Sequence, residues 1–234
     1  VLAVGVGKVI VALDFFEKAI KINPNYAEAY NNMGVALRKK GSLNDSITSF
    51  KQAIKLKADY AEAYNNLGVS FMEKGNADLA RKSYQEAIKI NPDYAEAYNN
   101  LGNALNLEGN FGEAVKKFEL ALKIKPNLAE AHNNIGNALS ESGEIERARC
   151  SYEDALRINP NYIEAHHNLS MVKSYKQKDK QFNKMMILVA QENIHDGHRS
   201  NLSFALGKAF EDVADYENSF KFYRQANCLR KKLL

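Results

Sequence analysis

The most regularly spaced side chains in this sequence are carboxamides. Asn31-Asn32, Asn65-Asn66, Asn99-Asn100 and Asn133-Asn134 recur as pairs every 34 residues, and Asn168 continues the second column. One helical turn earlier stand Glu28, Glu62, Glu96, Glu130 and Glu164, at the same period. A carboxamide carries two N–H donors and a carbonyl acceptor but is neither acid nor base at neutral pH. Its chemistry is recognition: it can bond a backbone amide whatever side chain follows. A ladder of such groups suits an extended chain gripped without regard to its sequence, and the glutamate column favours neutral or basic ligands over acidic ones. The alternative is that asparagine merely suits a solvated helix face, with the glutamates pairing with lysines or sitting at helix N-termini.

The groups able to make or break bonds lack such an arrangement. Gly5-Val6-Gly7-Lys8 has the look of a phosphate loop, but the earlier glycine is missing and valine stands where Ser or Thr must reach the metal. His132 and His166 occupy equivalent positions in neighbouring units, where Tyr64 and Tyr98 stand earlier, and read as packing residues rather than metal ligands. His195 and His198 have no acidic or cysteine partner set nearby. Cys150 and Cys228, 78 residues apart, match no metal or redox spacing and read as small apolar residues. No catalytic, cofactor-binding or metal site is expected, and the chain itself is not expected to be an enzyme.

The elements that must position the asparagines are set by an internal repeat. Tyr26–Gly34 reads YAEAYNNMG, and Tyr60–Gly68 and Tyr94–Gly102 both read YAEAYNNLG. Leu128–Gly136 reads LAEAHNNIG and Tyr162–Ser170 reads YIEAHHNLS. Within 61–94, Tyr64, Leu67, Gly68 and Phe71 form an i, i+3, i+4, i+7 stripe, which predicts one helix. Gly75-Asn76 breaks it, Ala80, Tyr84 and Ala87 carry a second stripe, and Asn91-Pro92 ends that helix. Each unit is thus two short antiparallel helices. Gly34, Gly68, Gly102 and Gly136 lie mid-helix, where glycine costs about 1 kcal/mol against alanine. That cost makes sense where two helices approach too closely for a side chain; Ala12, Ser46, Ala80, Ala114 and Ala148 are the matching small positions.

This spacing resembles the tetratricopeptide pattern, which implies an all-α solenoid of helix pairs whose first helices line a concave groove. The sequence predicts the second half of an incomplete repeat at 1–26, repeats at 27–60, 61–94, 95–128 and 129–162, a degenerate repeat with a loop at 163–199 and a final repeat at 200–234, all one solenoid domain. Three departures stand out: Ala58 replaces the usual proline, Ser170 replaces a glycine, and the final unit follows its predecessor by 37 residues rather than 34. The asparagine-rich units resemble the repeat arm of O-linked N-acetylglucosamine transferases, which implies peptide binding by Asn31, Asn32, Asn65, Asn66, Asn99, Asn100, Asn133, Asn134 and Asn168. Lysine is absent from the positions where a carboxylate-clamp relative would need it. Phe204–Lys232 resembles the last repeat of bacterial tetratricopeptide sulfotransferases, which implies a second reading: the recruiting arm of a larger transferase.

Bulk properties narrow the partners. The net charge of +4, from 32 basic and 28 acidic residues, is too small to suggest nucleic acid without a clustered patch. Most lysines, such as Lys51, Lys82 and Lys116, fall on second helices as a solvated face. No run of about 18 apolar residues predicts a membrane span. The cysteine usage points to a reducing, cytoplasmic compartment. The expected partner is a protein or peptide, with end-to-end self-association through apolar edges at Val1–Asn25 and the C-terminus as a further option.

Overall fold

The repeated turn chemistry explains why the helices stop where they do. In a computed structural model describing residues 2–233, with side chains from Lys8 onward, α4 (Ala61–Glu73) ends as its sequence requires. Gly75 adopts φ +80°, Gly75 N–H donates to Met72 O at 2.9 Å, and Asn76 N–H donates to Phe71 O at 2.8 Å. This pair of bonds satisfies the last carbonyls of the helix and needs a left-handed residue, which glycine supplies without a Cβ penalty. Gly41, Gly109 and Gly143 close their hairpins with φ between +79° and +86°. The final hairpin makes the same turn with Ala214 at φ +59°. The second helix of a unit stops differently: Asn91 is extended and its Oδ1 accepts from Asp93 N–H at 3.1 Å, an Asx turn. Asn23 and Asn159 repeat that turn. Lys57 takes the same extended conformation without the following proline, so Ala58 leaves the joint unchanged.

Among the described residues there are thirteen helices and no strand. The chain divides into two compact bodies, 1–124 and 125–234. The first holds α1 (Leu2–Ile22), α2 (Ala27–Lys39), α3 (Leu43–Leu56), α4, α5 (Ala77–Ile90), α6 (Ala95–Leu107) and α7 (Phe111–Ile124). Successive helices pack as antiparallel neighbours, and the core runs through Phe50, Leu67, Phe71, Ala80, Tyr84 and Leu101. The phosphate-loop motif at Gly5–Lys8 falls largely among side chains outside the described residues, and Val1 and Leu234 lie outside them altogether.

The mid-helix glycines do mark close approach, but their partner is an aromatic ring rather than the small residue of the second helix. A Cβ on Gly68 would lie 2.5 Å from Tyr84 Cε1, and one on Gly34 would lie 2.7 Å from Phe50 Cε1. Both rings are buried. Of the small positions, Ser46 instead meets the first helix of the next unit, its hydroxyl 3.0 Å from that of Ser70.

The second body holds α8 (Ala129–Glu141), α9 (Ile145–Ile158), α10 (Ile163–Val172), α11 (Lys180–Val189), α12 (Asp196–Asp212) and α13 (Tyr216–Leu233). Here the regular pattern breaks. Ser170, in the glycine position, is fully buried and its hydroxyl donates to His167 O. With no glycine notch to receive a ring, the chain leaves α10 at Lys173 in an extended path. Asp179 then caps α11, accepting from Phe182 N–H at 2.9 Å. The helix α11 packs on α12, and it reaches α10 through its first turn, where Gln181 Nε2 donates to His166 O at 3.2 Å. Phe182 meets Phe210 edge-on at 4.8 Å, and Phe210 stacks on Phe222 at 5.4 Å, which anchors the displaced helix to the final hairpin.

Candidate functional site

The 34-residue register links the asparagine columns into networks within each body. In the first, Asn31 Nδ2 donates to Glu62 Oε1 at 3.2 Å. A carboxylate only accepts, so it fixes the amide orientation and turns Asn31 Oδ1 toward the next unit. There Asn66 Nδ2 donates to that oxygen at 3.1 Å. One unit on, Asn100 Nδ2 donates to Asn65 Oδ1 at 2.9 Å. In the second body Asn168 Nδ2 donates to Asn133 Oδ1 at 3.1 Å and to Asn137 Oδ1 at 3.0 Å. Asn137 was not among the sequence-predicted residues, although its place one turn after Asn133 could have suggested it.

The two columns therefore differ. Asn31, Asn65, Asn99 and Asn133 are buried, at 0–6% exposure, and lie beneath the surface rather than on it. Asn32 is exposed, while Asn66, Asn100, Asn134 and Asn168 are partly so. The Oδ1 atoms of Asn66 and Asn100 accept nothing among the described residues, so what these side chains offer outward is an acceptor. The glutamates are engaged as well. Glu62 holds Asn31, Glu28 lies 3.5 Å from Lys57, and Glu164 lies 3.4 Å from His198 Nε2. Glu96 and Glu130 are exposed but have contacts of their own.

Tyrosines at the end of each unit back these carboxylates. Burial raises the Tyr60 phenol, helped by Glu62 and Glu28, and pushes Tyr94 up to about 12 beside Glu62 and Glu96. Tyr162 is likewise pushed up to about 12, by burial and then by Glu130 and Glu164. All three remain neutral donors at physiological pH. They share one position of the 34-residue repeat, two residues before its glutamate, and Leu128 takes that place in the intervening unit.

His166 is buried at 2% exposure, with Nε2 3.0 Å from Pro160 O. His167 Nδ1 lies 3.2 Å from Asn201 O. His132 is partly buried. Desolvation lowers the pKa of both His166 and His167. A lowered folded-state pKa means that the unfolded chain takes up these protons first. Stability is therefore full above the ordinary histidine value of about 6.5 and falls as pH drops through it. Urea unfolding at pH 7 and pH 5.5 should show this loss, and His166→Gln with His167→Gln should lessen it; an equal loss in the double variant would remove both residues as its cause. Cys150 and Cys228 are free and exposed. Among the described residues no group of three His, Cys, Asp or Glu side chains is placed to hold a metal, and no helix is long and apolar enough to cross a membrane.

Stacked helical hairpins with this register match known families. The TPR repeat model matches residues 34–75 and 70–109, and two further tetratricopeptide repeat models match 15–48 and 95–161. The chain belongs to the tetratricopeptide repeat family. A crystal structure of a MamA protein is 30% identical over 66% of this chain and 85% of its own, with a TM-score of 0.58. A second MamA structure is 20% identical over 86% and 95%, with a TM-score of 0.53. YrrB, described as a TPR protein with an unusual peptide-binding site, is 18% identical over 89% and 97%, with a TM-score of 0.58, and shares the fold. No curated protein matches the sequence. The fold is that of an interaction scaffold.

Proposed function

We propose that the first-helix face of each body binds an extended, neutral or basic peptide in a cytoplasmic setting, with Asn32, Asn66 and Asn100 reaching the peptide backbone in the first body and Asn134 and Asn168 in the second. Asn31, Asn65, Asn99 and Asn133 serve as the framework beneath. The observation that carries this reading is the repeated Nδ2-to-Oδ1 link, at 2.9–3.1 Å, between asparagines of neighbouring units. It holds the outer carboxamides in one orientation, and an ordered row of acceptors matches the row of N–H groups along an extended chain. Glu28, Glu62, Glu96 and Glu130 beside that row repel acidic ligands, and the fold that this chain shares with a peptide-binding relative supports the same use. A recruiting arm of a larger transferase, the second reading of the sequence, would use the same face.

The test is fluorescence anisotropy with a fluorescein-labelled decapeptide of Ser, Val and Lys, and with a second in which Glu replaces Lys. The lysine peptide should bind and the glutamate peptide should bind at least tenfold more weakly. Asn66→Ala with Asn100→Ala should weaken the lysine peptide by about thirtyfold, as expected for two lost hydrogen bonds of about 1 kcal/mol each. Unchanged binding by this double variant, with its fold intact by circular dichroism, would remove the ladder from the site.

A further inference from the structure

A cleft of about 500 Å³ opens in the second body between α9, α10 and α11. It has a counterpart in the first body, about 410 Å³, walled by Ile88, Tyr98, Leu101 and Leu105. Two repeat lengths further on, those positions are Leu156, His166, Leu169 and Lys173. Two apolar walls are kept, while a phenol has become an imidazole and a leucine has become a lysine. The outer wall changes more, because α11 has swung out of the regular register and brings Asp179, Lys180 and Lys184 to the rim.

The charges of this cleft are unequal. Four cations, Arg157, Lys173, Lys180 and Lys184, line it against the two carboxylates Glu153 and Asp179. Lys173 is satisfied, 2.5 Å from Asp179 Oδ2 and 3.1 Å from Gln181 Oε1, and Arg157 pairs with Asp154 at 2.8 Å. Lys180 and Lys184 have no partner among the described residues. The floor carries a second unsatisfied group. His166 is 2% exposed, and because a carbonyl can only accept, its Nε2 must carry the proton given to Pro160 O. Its Nδ1 is then a buried acceptor with nothing bonded to it.

Lys180 and Lys184 are one turn apart on α11, so they rise about 6 Å along the helix axis. Alternate side chains of an extended peptide are about 6.6 Å apart and share one face, and the residue between them points the other way. A strand lying along α11 can thus set two carboxylates on the two lysines while its intervening side chain faces Leu156 and Pro160 across the cleft. We infer that this cleft is a second peptide site, specific for an extended acidic segment of the form acid–bulky apolar–acid. Its preference is opposite in sign to that of the asparagine face, it opens between the second-helix elements α9 and α11 with α10 as its floor, and it does not depend on that face binding anything.

The probe is an acetylated, amidated Ser-Asp-Leu-Asp-Ser peptide carrying fluorescein, titrated into the full chain by anisotropy. Saturable binding is expected, weakened at least tenfold by Lys180→Gln with Lys184→Gln and at least tenfold by serine in place of the peptide's leucine. The His166 ring resonances should move on saturation, which non-specific attraction to surface lysines would not produce. Both lysines are at the surface, and a melt of the double variant checks that it folds. The proposal is overturned if the double variant binds as well as the parent, if Ser-Lys-Leu-Lys-Ser binds equally, if the His166 resonances stay still at saturation, or if octanoate displaces the peptide at concentrations like the peptide's own. The last result would make the cleft a site for small amphipathic anions instead.

Discussion

Asn31→Asp is expected to destabilise the first body by on the order of 3 kcal/mol at pH 7, and to recover much of that loss in acid. Asn31 is fully buried and its Nδ2 faces Glu62 Oε1 at 3.2 Å. Aspartate is nearly isosteric, so the packing survives while a donor becomes a second carboxylate oxygen aimed at the first. Two carboxylates at this distance cannot both ionise without penalty, so one of them acquires a raised pKa in the folded state. A raised carboxyl pKa sets the sign: the penalty is complete above the folded value and vanishes below the unfolded value of about 4. Urea unfolding at pH 7 and pH 4.5 would read this directly. Glu62→Gln in the same chain should restore most of the stability at pH 7, because the new amide can donate to Asp at position 31, and the double-mutant cycle would isolate that contact. An Asn31→Asp deficit that stays the same at both pH values would mean that the amide does not face Glu62.

This case also shows where sequence reading reached its limit. The 34-residue period, the glycine turns and the Asn-Pro ends are local signals, each set by one residue's backbone preference, so the helices could be placed from them. Which of two adjacent asparagines turns inward is not local. Neighbours on a helix are rotated by about 100°, and a repeat that conserves both gives no hint of the rotation. That was settled by packing: Asn31 falls on the seam toward Glu62 and Asn66, and Asn32 falls outside it. Lys57 shows the opposite case, where a missing proline changes nothing because the extended residue before it makes the joint. Least legible was the stretch from Lys173 to Asp179. Its path depends on Phe182 finding Phe210 in another hairpin, and a contact so distant in sequence leaves no periodic trace.

The largest expected loss of stability comes from one of the local signals. Gly102→Val should cost 3 kcal/mol or more, at the upper end of the roughly 1–3 kcal/mol typical of overpacked cores. A Cβ at Gly102 would lie 2.5 Å from Phe118 Cε1 and 2.7 Å from Cδ1, closer than carbon atoms pack. Phe118 has no exposed surface and so no open side to swing toward. The helices α6 and α7 would have to part, and the contacts of the whole ring would loosen with them. Gly102→Ala meets the same ring with its Cβ alone and gains about 1 kcal/mol in helix propensity, so its net loss should be smaller. Gly112, near the start of α7, tests the propensity argument with the opposite sign. Nothing lies within 4 Å of its would-be Cβ, so Gly112→Ala should raise the melting temperature slightly. Thermal melts of the three variants would give the order Gly112→Ala, parent, Gly102→Ala, Gly102→Val from most to least stable. Phe118→Leu should rescue part of the Gly102→Val loss, since it removes the ring carbons that collide, whereas additive losses in that double variant would place the strain elsewhere.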